Sequence, residues 1–162
     1  MGHMFRGASA FNQNINTSGS SWNTAAVTNM NEMFEGATSF NGNITSWNTA
    51  AVTSMRFMFN GAAAFNQNIN TSGSSWNTAR VTNMAEMFRG ATAFNGNIGS
   101  WNTALVTTMN TMFRSAGSFN QNINSWNTAA VTDMANMFRS ATAFNGNISS
   151  WNTAAVTNMY KM

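Results

Sequence analysis

Few side chains of this chain could take part in acid–base or metal chemistry. The 162 residues include one histidine, His3, and the carboxylates are Glu32, Glu35, Glu86 and Asp133. A glycosidase needs two carboxyl groups flanking one bond, yet only Glu32 and Glu35 are close in sequence, and helical spacing places both on an exposed face. No Ser or Thr has a His or Lys base beside it, and Cys is absent. We therefore predict that the chain is not an enzyme and holds no metal and no cofactor.

A second possible chemistry is anion binding by arginine. The residue that follows a Met-Phe pair is an arginine in three consecutive repeats, at Arg89, Arg114 and Arg139. One interpretation is that these cations lie in the last turn of a helix, where the helix dipole stabilises them. The other is a binding site for sialylated or sulfated glycans. Arg56 and Arg80 lie elsewhere in the repeat.

Threonine recurs in two columns, each of which could present a regular row of hydroxyl groups. The first column follows Trp-Asn and consists of Thr24, Thr49, Thr78, Thr103, Thr128 and Thr153. It either closes the turn after tryptophan or forms a surface array that binds ice or a ligand. The second column follows Val and consists of Thr28, Thr53, Thr82, Thr107, Thr132 and Thr157. Helix N-caps are the favoured interpretation of the second column, since a Thr side chain accepts from the first helical N–H groups.

The elements that must position these residues form an internal repeat. The six tryptophans lie at positions 22, 47, 76, 101, 126 and 151, so their spacing is 25 residues with one spacing of 29. Two units carry an extra Asn-Thr-Ser-Gly, at Asn16–Gly19 and Asn70–Gly73, which we interpret as loop insertions because the other units keep their register. We interpret residues 1–3 as a cloning scar and residues 4–162 as one array of six coils.

Each unit contains two apolar patterns that predict different elements. Val27, Met30, Phe34 and Ala37 follow a helical period, so the pattern predicts a two-turn helix that begins at Thr28 and stops at Gly36. The segment Phe40–Ile44 alternates apolar and polar residues, which predicts a short strand. One such unit cannot bury its apolar face alone, so we expect the units to stack as a solenoid.

Asparagine recurs at three positions of the unit, and the stacking predicts three asparagine columns. One column follows Phe (Asn12, Asn41, Asn66, Asn95, Asn120, Asn145), one precedes Ile (Asn14, Asn43, Asn68, Asn97, Asn122, Asn147) and one follows Trp (Asn23, Asn48, Asn77, Asn102, Asn127, Asn152). Stacked amides can bond along a column, so we interpret them as ladders and turn formers rather than ligand contacts. Between the first two columns Gln and Gly alternate, which predicts that each Gln packs over a neighbouring Gly.

The string M-F-x-G-A-x-x-F-N-x-N-I-x-x-W-N-T-x-x-V-T-x-M resembles the repeat of BspA-like leucine-rich-repeat surface proteins over residues 4–162. The resemblance implies a right-handed, leucine-rich-repeat-like solenoid with one short parallel strand and one short helix per 25-residue coil. It also implies a chain that is extracellular or displayed on a cell surface, with a role in adhesion or in contacts with host or matrix proteins or glycans. Asn stands here where the family often has Asp, which argues against calcium at those positions.

The amino-acid composition argues against nucleic acid as a partner and against insertion into a membrane. Charged residues make up 7% of the chain, against roughly 25% in ordinary domains, and a net charge of +3 falls short of the basic clusters of nucleic-acid binders. No apolar run is long enough to span a membrane, and the recurrent methionines are interpreted as core.

No capping unit is visible at either end, so we expect self-association through uncapped ends. The expected function is a non-catalytic surface interaction module, and the alternatives are ice or polysaccharide binding through Thr/Asn ladders and a structural spacer.

Overall fold

The computed structural model describes residues 1–17, 19, 22–72 and 74–162. This part of the chain contains no helix, and its only β-structure is a row of isolated parallel bridges, one residue per unit. The bridges link Asn29, Ser54, Asn83, Thr108, Asp133 and Asn158 in succession. The predicted leucine-rich-repeat-like solenoid with one strand and one helix per coil is therefore wrong, although the repeat units do lie one above the next.

We number the repeat units from 1 to 6 in chain order and define each by the residue at which it begins. Unit 1 covers residues 1–26, and units 2 to 6 begin at Val27, Val52, Val81, Val106 and Val131. Residues 156–162 begin a further unit, and the two four-residue insertions fall in units 1 and 3, with Ser18 and Gly73 outside the described residues. His3 has a φ of 65° and its N–H donates to the carbonyl of Asn31. Its backbone is thus that of Glu32 at the same position in unit 2, and the interpretation of residues 1–3 as a cloning scar stays a prediction.

The predicted helix is replaced by consecutive β-turns. The N–H groups of Met33, Glu35 and Ala37 each donate to the carbonyl three residues earlier, and Glu32 and Gly36 have φ values of 57° and 69°. Type II turns require such a positive φ at their third residue, and a right-handed helix excludes it. Successive turns repeat their inward positions every three or four residues, which is why the apolar pattern imitates a helix.

The alternate N–H groups of this segment point along the stack. Met30, Glu32, Phe34 and Gly36 donate to the carbonyls of Ser54, Arg56, Met58 and Asn60 in the next unit, at 2.8 to 3.1 Å. The same four bonds recur between units 3 and 4 and between units 4 and 5. Backbone groups that a helix would satisfy internally are satisfied here by the neighbouring unit.

The segment predicted as a strand bonds to its neighbour through side chains instead of through a backbone ladder. The N–H of Asn41 donates to the Oδ1 atom of Asn12 at 2.7 Å, and the N–H of Asn66 donates to the Oδ1 atom of Asn41 at 2.9 Å. The pattern continues through Asn95, Asn120 and Asn145. The asparagine ladder that the sequence predicts after Phe is confirmed, and its carboxamide oxygens occupy the place of the partner carbonyls that a strand would need.

Like aromatic rings lie above one another through the interior. The phenylalanines of the Met-Phe pairs are stacked from Phe34 to Phe138, with centroids 5.5 to 5.7 Å apart between neighbouring units. Trp76, Trp101, Trp126 and Trp151 form a second column, with centroids 6.2 to 6.3 Å apart. Ten methionines of units 2 to 6 are fully buried beside these columns, which confirms their interpretation as core.

The tryptophans also connect the units by hydrogen bonds. Each indole N–H from Trp47 to Trp151 donates to an isoleucine carbonyl of the preceding unit, as Trp101 does to Ile69 at 2.9 Å. These bonds are buried, so they satisfy carbonyls that water cannot reach. The tryptophan column therefore holds the register of the units as well as filling the core.

Gln and Gly alternate because the units form a two-unit period. The Nε2 atom of Gln67 donates to the backbone carbonyl of Asn41, directly before Gly42, and that of Gln121 contacts the carbonyl of Asn95, directly before Gly96. A Cβ atom on Gly42 or Gly96 would overlap the backbone carbonyl of the glutamine in the unit below. The predicted packing of Gln over its Gly neighbour is confirmed.

The insertions follow the same two-unit period. Thr17 donates from N and Oγ1 to Oγ and O of Ser46, and Thr71 contacts Ser100 in the same way. The Oδ1 atoms of Asn16 and Asn70 accept from the N–H groups of these serines. The described parts of the insertions therefore bind unit 1 to unit 2 and unit 3 to unit 4 by hydrogen bonds.

We predict that Gly96→Ala lowers the stability sharply, because its Cβ atom would overlap the Gln67 carbonyl, which belongs to the rigid main chain. We expect a loss of about 3 kcal/mol, at the upper end of overpacking costs, measured from the urea midpoint of unfolding. Gly117→Ala is the matched control, since the nearest atom to its Cβ would be Thr142 Oγ1 at 3.8 Å. Equal midpoints for the two variants would contradict the close approach.

Candidate functional site

The first threonine column belongs to the core. Thr24, Thr49, Thr78, Thr103 and Thr128 are at most 1% exposed, and only Thr153 of this column is exposed. The hydroxyl groups from Thr49 to Thr128 donate to the carbonyl of the post-tryptophan asparagine in the next unit, at 2.8 to 3.0 Å. The Thr24 hydroxyl is buried without a hydrogen bond to a described residue. Because side chains this deeply buried cannot meet a ligand at the surface, the five buried members are not the surface array that the sequence suggested.

The second threonine column is exposed along the whole stack. In Thr53, both the N–H and the hydroxyl donate to the carbonyl of Thr28, at 2.9 and 3.2 Å, and the pattern repeats up to Thr157. Helix N-capping is wrong for this column because no helix follows it. The second column therefore forms an exposed row of Thr methyl groups and hydroxyl oxygens along one side, whereas residues of the first column close turns, as Thr49 does by accepting from the N–H of Val52.

The second and third asparagine columns close turns. Asn97 accepts from the N–H of Gly99 at 2.9 Å, and Asn102 accepts from the N–H of Ala104 at 3.0 Å. Most other members of the two columns make the same bond to the residue two positions later. This is the Asx turn. Among the described residues, Asn14 is the one member of these two columns that bonds along its column, by accepting from the N–H of Asn43. The prediction of turn formers is confirmed for these columns, and the prediction of ladders is wrong for their other members.

Arg89, Arg114 and Arg139 lie in register in three consecutive units. The N–H of Gly90 donates to the carbonyl of Arg114 at 2.8 Å, and the N–H of Ser115 donates to the carbonyl of Arg139 at 2.9 Å. Arg89 is paired with Glu86 at 2.9 Å. Units 5 and 6 have Thr111 and Asn136 in the position of Glu86, and within the described part of the chain neither Arg114 nor Arg139 has an ion-pair partner. The helix-dipole interpretation is wrong for all three, because no helix is present.

The carboxylates do not converge on a common site. Glu32 contacts His3 at 3.0 Å and Arg6 at 3.2 Å, and Glu35 contacts Arg6 at 2.8 Å. Asp133 accepts from the N–H of Ala135 and from the Asn110 amide, both at 3.0 Å. Within residues 1–17, 19, 22–72 and 74–162, no group of three or more His, Cys, Asp or Glu residues could hold a metal ion. In the same residues, no helix has the length and hydrophobicity to cross a membrane.

Sequence reasoning missed which threonine column faces solvent, and it missed the serines beside two of the arginines. Ser115 and Ser140 have φ values of 60° and 61°, where units 1 to 4 have glycine. The signal was present in the aligned units, because a Gly-to-Ser change at a repeat position that is otherwise Gly indicates a backbone under strain.

The chain belongs to the family described as "Mycoplasma protein of unknown function, DUF285". The family model matches twice, over residues 1–73 and 69–162. Two adjacent matches that together cover the whole chain are those of a tandem repeat protein. Comparison with curated proteins found no match, and comparison with solved structures found none either.

We predict that Thr103→Val lowers the free energy of unfolding by about 1–3 kcal/mol, the usual cost of leaving a buried carbonyl unpaired. The carbonyl concerned is that of Asn127, and Val keeps the shape of Thr while removing its hydroxyl. Thr107→Val in the exposed column should change stability by less than about 0.5 kcal/mol, since water replaces its bond. Urea unfolding compares the two, and a larger loss for Thr107→Val would reverse the assignment of the columns.

Proposed function

We propose that this protein is a non-catalytic repeat module, secreted or displayed at a cell surface, that binds proteins or glycans of its surroundings. The observation that carries the proposal is the division of side chains across the stack. Aromatic, Met and Val columns are buried through units 3 to 5, while exposed Thr and Asn side chains repeat in register on the outside. Such a surface is extended, regular and nearly uncharged, and stacked repeats commonly use surfaces of this kind for binding.

Two further observations support a binding role over a catalytic one. The carboxylates are engaged in separate contacts with Arg6, His3, Arg89 and Asn110, whereas catalysis by acid and base needs groups that converge on one bond. The repeat string also resembles that of BspA-like surface proteins. On that resemblance, adhesion is the form of binding that we propose.

The test is an array of matrix proteins and glycans probed with the purified chain. We expect saturable binding to at least one protein or glycan, and we expect it to depend on one side of the stack. Two surface variants locate that side. One has Thr82→Lys with Thr107→Lys in the exposed threonine column, and the other has Thr92→Lys with Thr142→Lys at a different exposed position of the unit.

A hit that one pair of lysines abolishes and the other leaves unchanged supports an interaction surface, because the two variants carry the same added charge. A hit that both pairs abolish equally would indicate a charge effect. If no component of the array binds, the proposal fails in favour of a structural spacer.

The exposed threonine column favours one alternative, the binding of ice or a crystalline polysaccharide. Its members are linked by parallel backbone bonds, which implies a hydroxyl every ~4.8 Å along the stack. Neutral side chains at a fixed spacing suit a ligand with a lattice repeat.

For this alternative we predict inhibition of ice recrystallisation by the wild-type chain, lost in the Thr82→Lys, Thr107→Lys variant because two long cations disrupt the flat row. The Thr92→Lys, Thr142→Lys variant should retain it. Ice crystals that grow in the presence of the wild-type chain as they do in buffer would rule the alternative out.

A further inference from the structure

Units 5 and 6 differ from the earlier units at two positions close to an arginine. The residue before the Met-Phe pair is Glu32, Phe57 or Glu86 in units 2 to 4, but Thr111 and Asn136 in units 5 and 6. The residue after the pair is Arg114 and Arg139, and it is arginine in units 1 and 4 as well. The next residue is glycine in units 1 to 4 but Ser115 and Ser140 in these two units. The two differences occur together.

Together these differences remove the acids and add hydrogen-bond donors. In unit 4, Glu86 neutralises Arg89 at 2.9 Å, with Glu86 in the left-handed conformation at φ 59°. Asn136 has the same conformation at φ 55°, but its oxygen is buried without a hydrogen bond to any described residue. The guanidinium groups of Arg114 and Arg139 thus keep their full charge and all of their N–H donors.

The two serines are strained where glycine would not be. A residue other than glycine in the left-handed region costs about 1–2 kcal/mol, and both Ser115 and Ser140 lie there. A strained conformation that occurs beside an exposed cation is a reason to look for a function. Each serine adds a hydroxyl group at the residue that follows an arginine.

These groups repeat along the stack axis. The main chains of units 5 and 6 are bonded in register at this point, and the rings of Phe113 and Phe138 beside it are 5.7 Å apart. Lys161 is exposed, occupies the position of Asn136 in the following unit, and places its ammonium group over the ring of Tyr160. The nearest carboxylate in sequence to Arg139, Asp133, is held by Asn110 and the Ala135 N–H.

We propose that the edge formed by Arg114, Ser115, Arg139 and Ser140 binds a sulfated linear polysaccharide. The inference rests on the proposed function and names its ligand. Guanidinium groups bind the oxygens of oxyanions by paired hydrogen bonds, and a polymer with anions on successive sugars meets cations on successive units. A nucleic acid fits less well, since it calls for a larger basic surface than the few cations near this edge provide.

The test measures binding of dextran sulfate to the full chain by titration calorimetry, with unsulfated dextran and polygalacturonate as comparison polymers. We expect dextran sulfate to bind, with an affinity that falls as salt rises, and unsulfated dextran not to bind. Binding of polygalacturonate as tight as that of dextran sulfate would overturn the preference for sulfate. A single-stranded oligonucleotide that competes with dextran sulfate at equal charge would overturn the choice of a polysaccharide.

Three variants locate the site. Arg139→Gln should weaken binding roughly tenfold, the effect of one lost charged contact. Asn136→Glu should weaken it to a similar extent although Arg139 remains, because the new carboxylate reproduces the Glu86–Arg89 pair. Glu86→Gln should strengthen binding, since it frees Arg89 and extends the edge by one unit.

Matched controls distinguish a change in affinity caused at the proposed site from one caused by the net charge of the chain. Arg80→Gln removes one positive charge elsewhere, and Thr38→Glu adds one negative charge in unit 2, so both should leave the affinity within about twofold of the wild type. Equal losses in the variants and in these controls would overturn the inference. Urea midpoints close to that of the wild type establish that each variant is folded.

The serines provide a separate readout. Ser115→Gly with Ser140→Gly should raise the urea midpoint, because glycine relieves the left-handed strain, and should weaken dextran sulfate binding severalfold. Unchanged affinity in this variant would contradict a role for the hydroxyl groups. If the wild-type chain fails to bind dextran sulfate but binds a protein or a neutral glycan on the array, this inference is wrong while the proposed function remains.

Discussion

The main-chain hydrogen bonds of this protein run between repeat units, and the rest of the structure depends on that constraint. From Met30 to Gly36, every second N–H donates to a carbonyl one unit further along the chain. A unit on its own would leave these groups to water, so it gains little by folding alone. Each unit must therefore hold the same backbone path as its neighbours, and positions such as Glu32 and Thr111 keep a positive φ that their side chains disfavour.

Register explains why the interior consists of columns. When units are superimposed in the same path, each side chain lies over its own equivalent, and Phe stacks on Phe from unit to unit with nearly parallel planes. The Trp indole adds a buried bond to the unit below. The close approach of neighbouring units also limits which residues fit at some positions. At Gly42 and Gly96, a main-chain carbonyl of the unit below fills the space that a side chain would need. Alternation of Gln with Gly is the result of that limit.

The polysaccharide site that we propose depends on departures from the repeat. Columns that are identical in all units, such as the buried threonines and the asparagine ladder, are needed to hold the stack together. Units 5 and 6 break the pattern where Asn136 replaces an acid and Ser140 replaces glycine at a cost in backbone strain. Arg139 and Ser140 are exposed there, so a ligand can reach them.

The sequence by itself determined the repeat, the aromatic and methionine columns, the Asn ladder after Phe and the pairing of Gln with Gly, because each follows from identical residues at a fixed spacing. It did not determine the elements. The spacing of Met30, Phe34 and Ala37 fits both a helix and a run of turns, and whether an N–H bonds within its own unit or to the next is decided only when units stack. It also favoured the wrong role, helix N-capping, for the second threonine column and left the first open, since a hydroxyl can pair with a buried carbonyl or face water. Only the tertiary structure, by placing Thr103 under Asn127 and leaving Thr107 outside, resolved which column is core and which is surface.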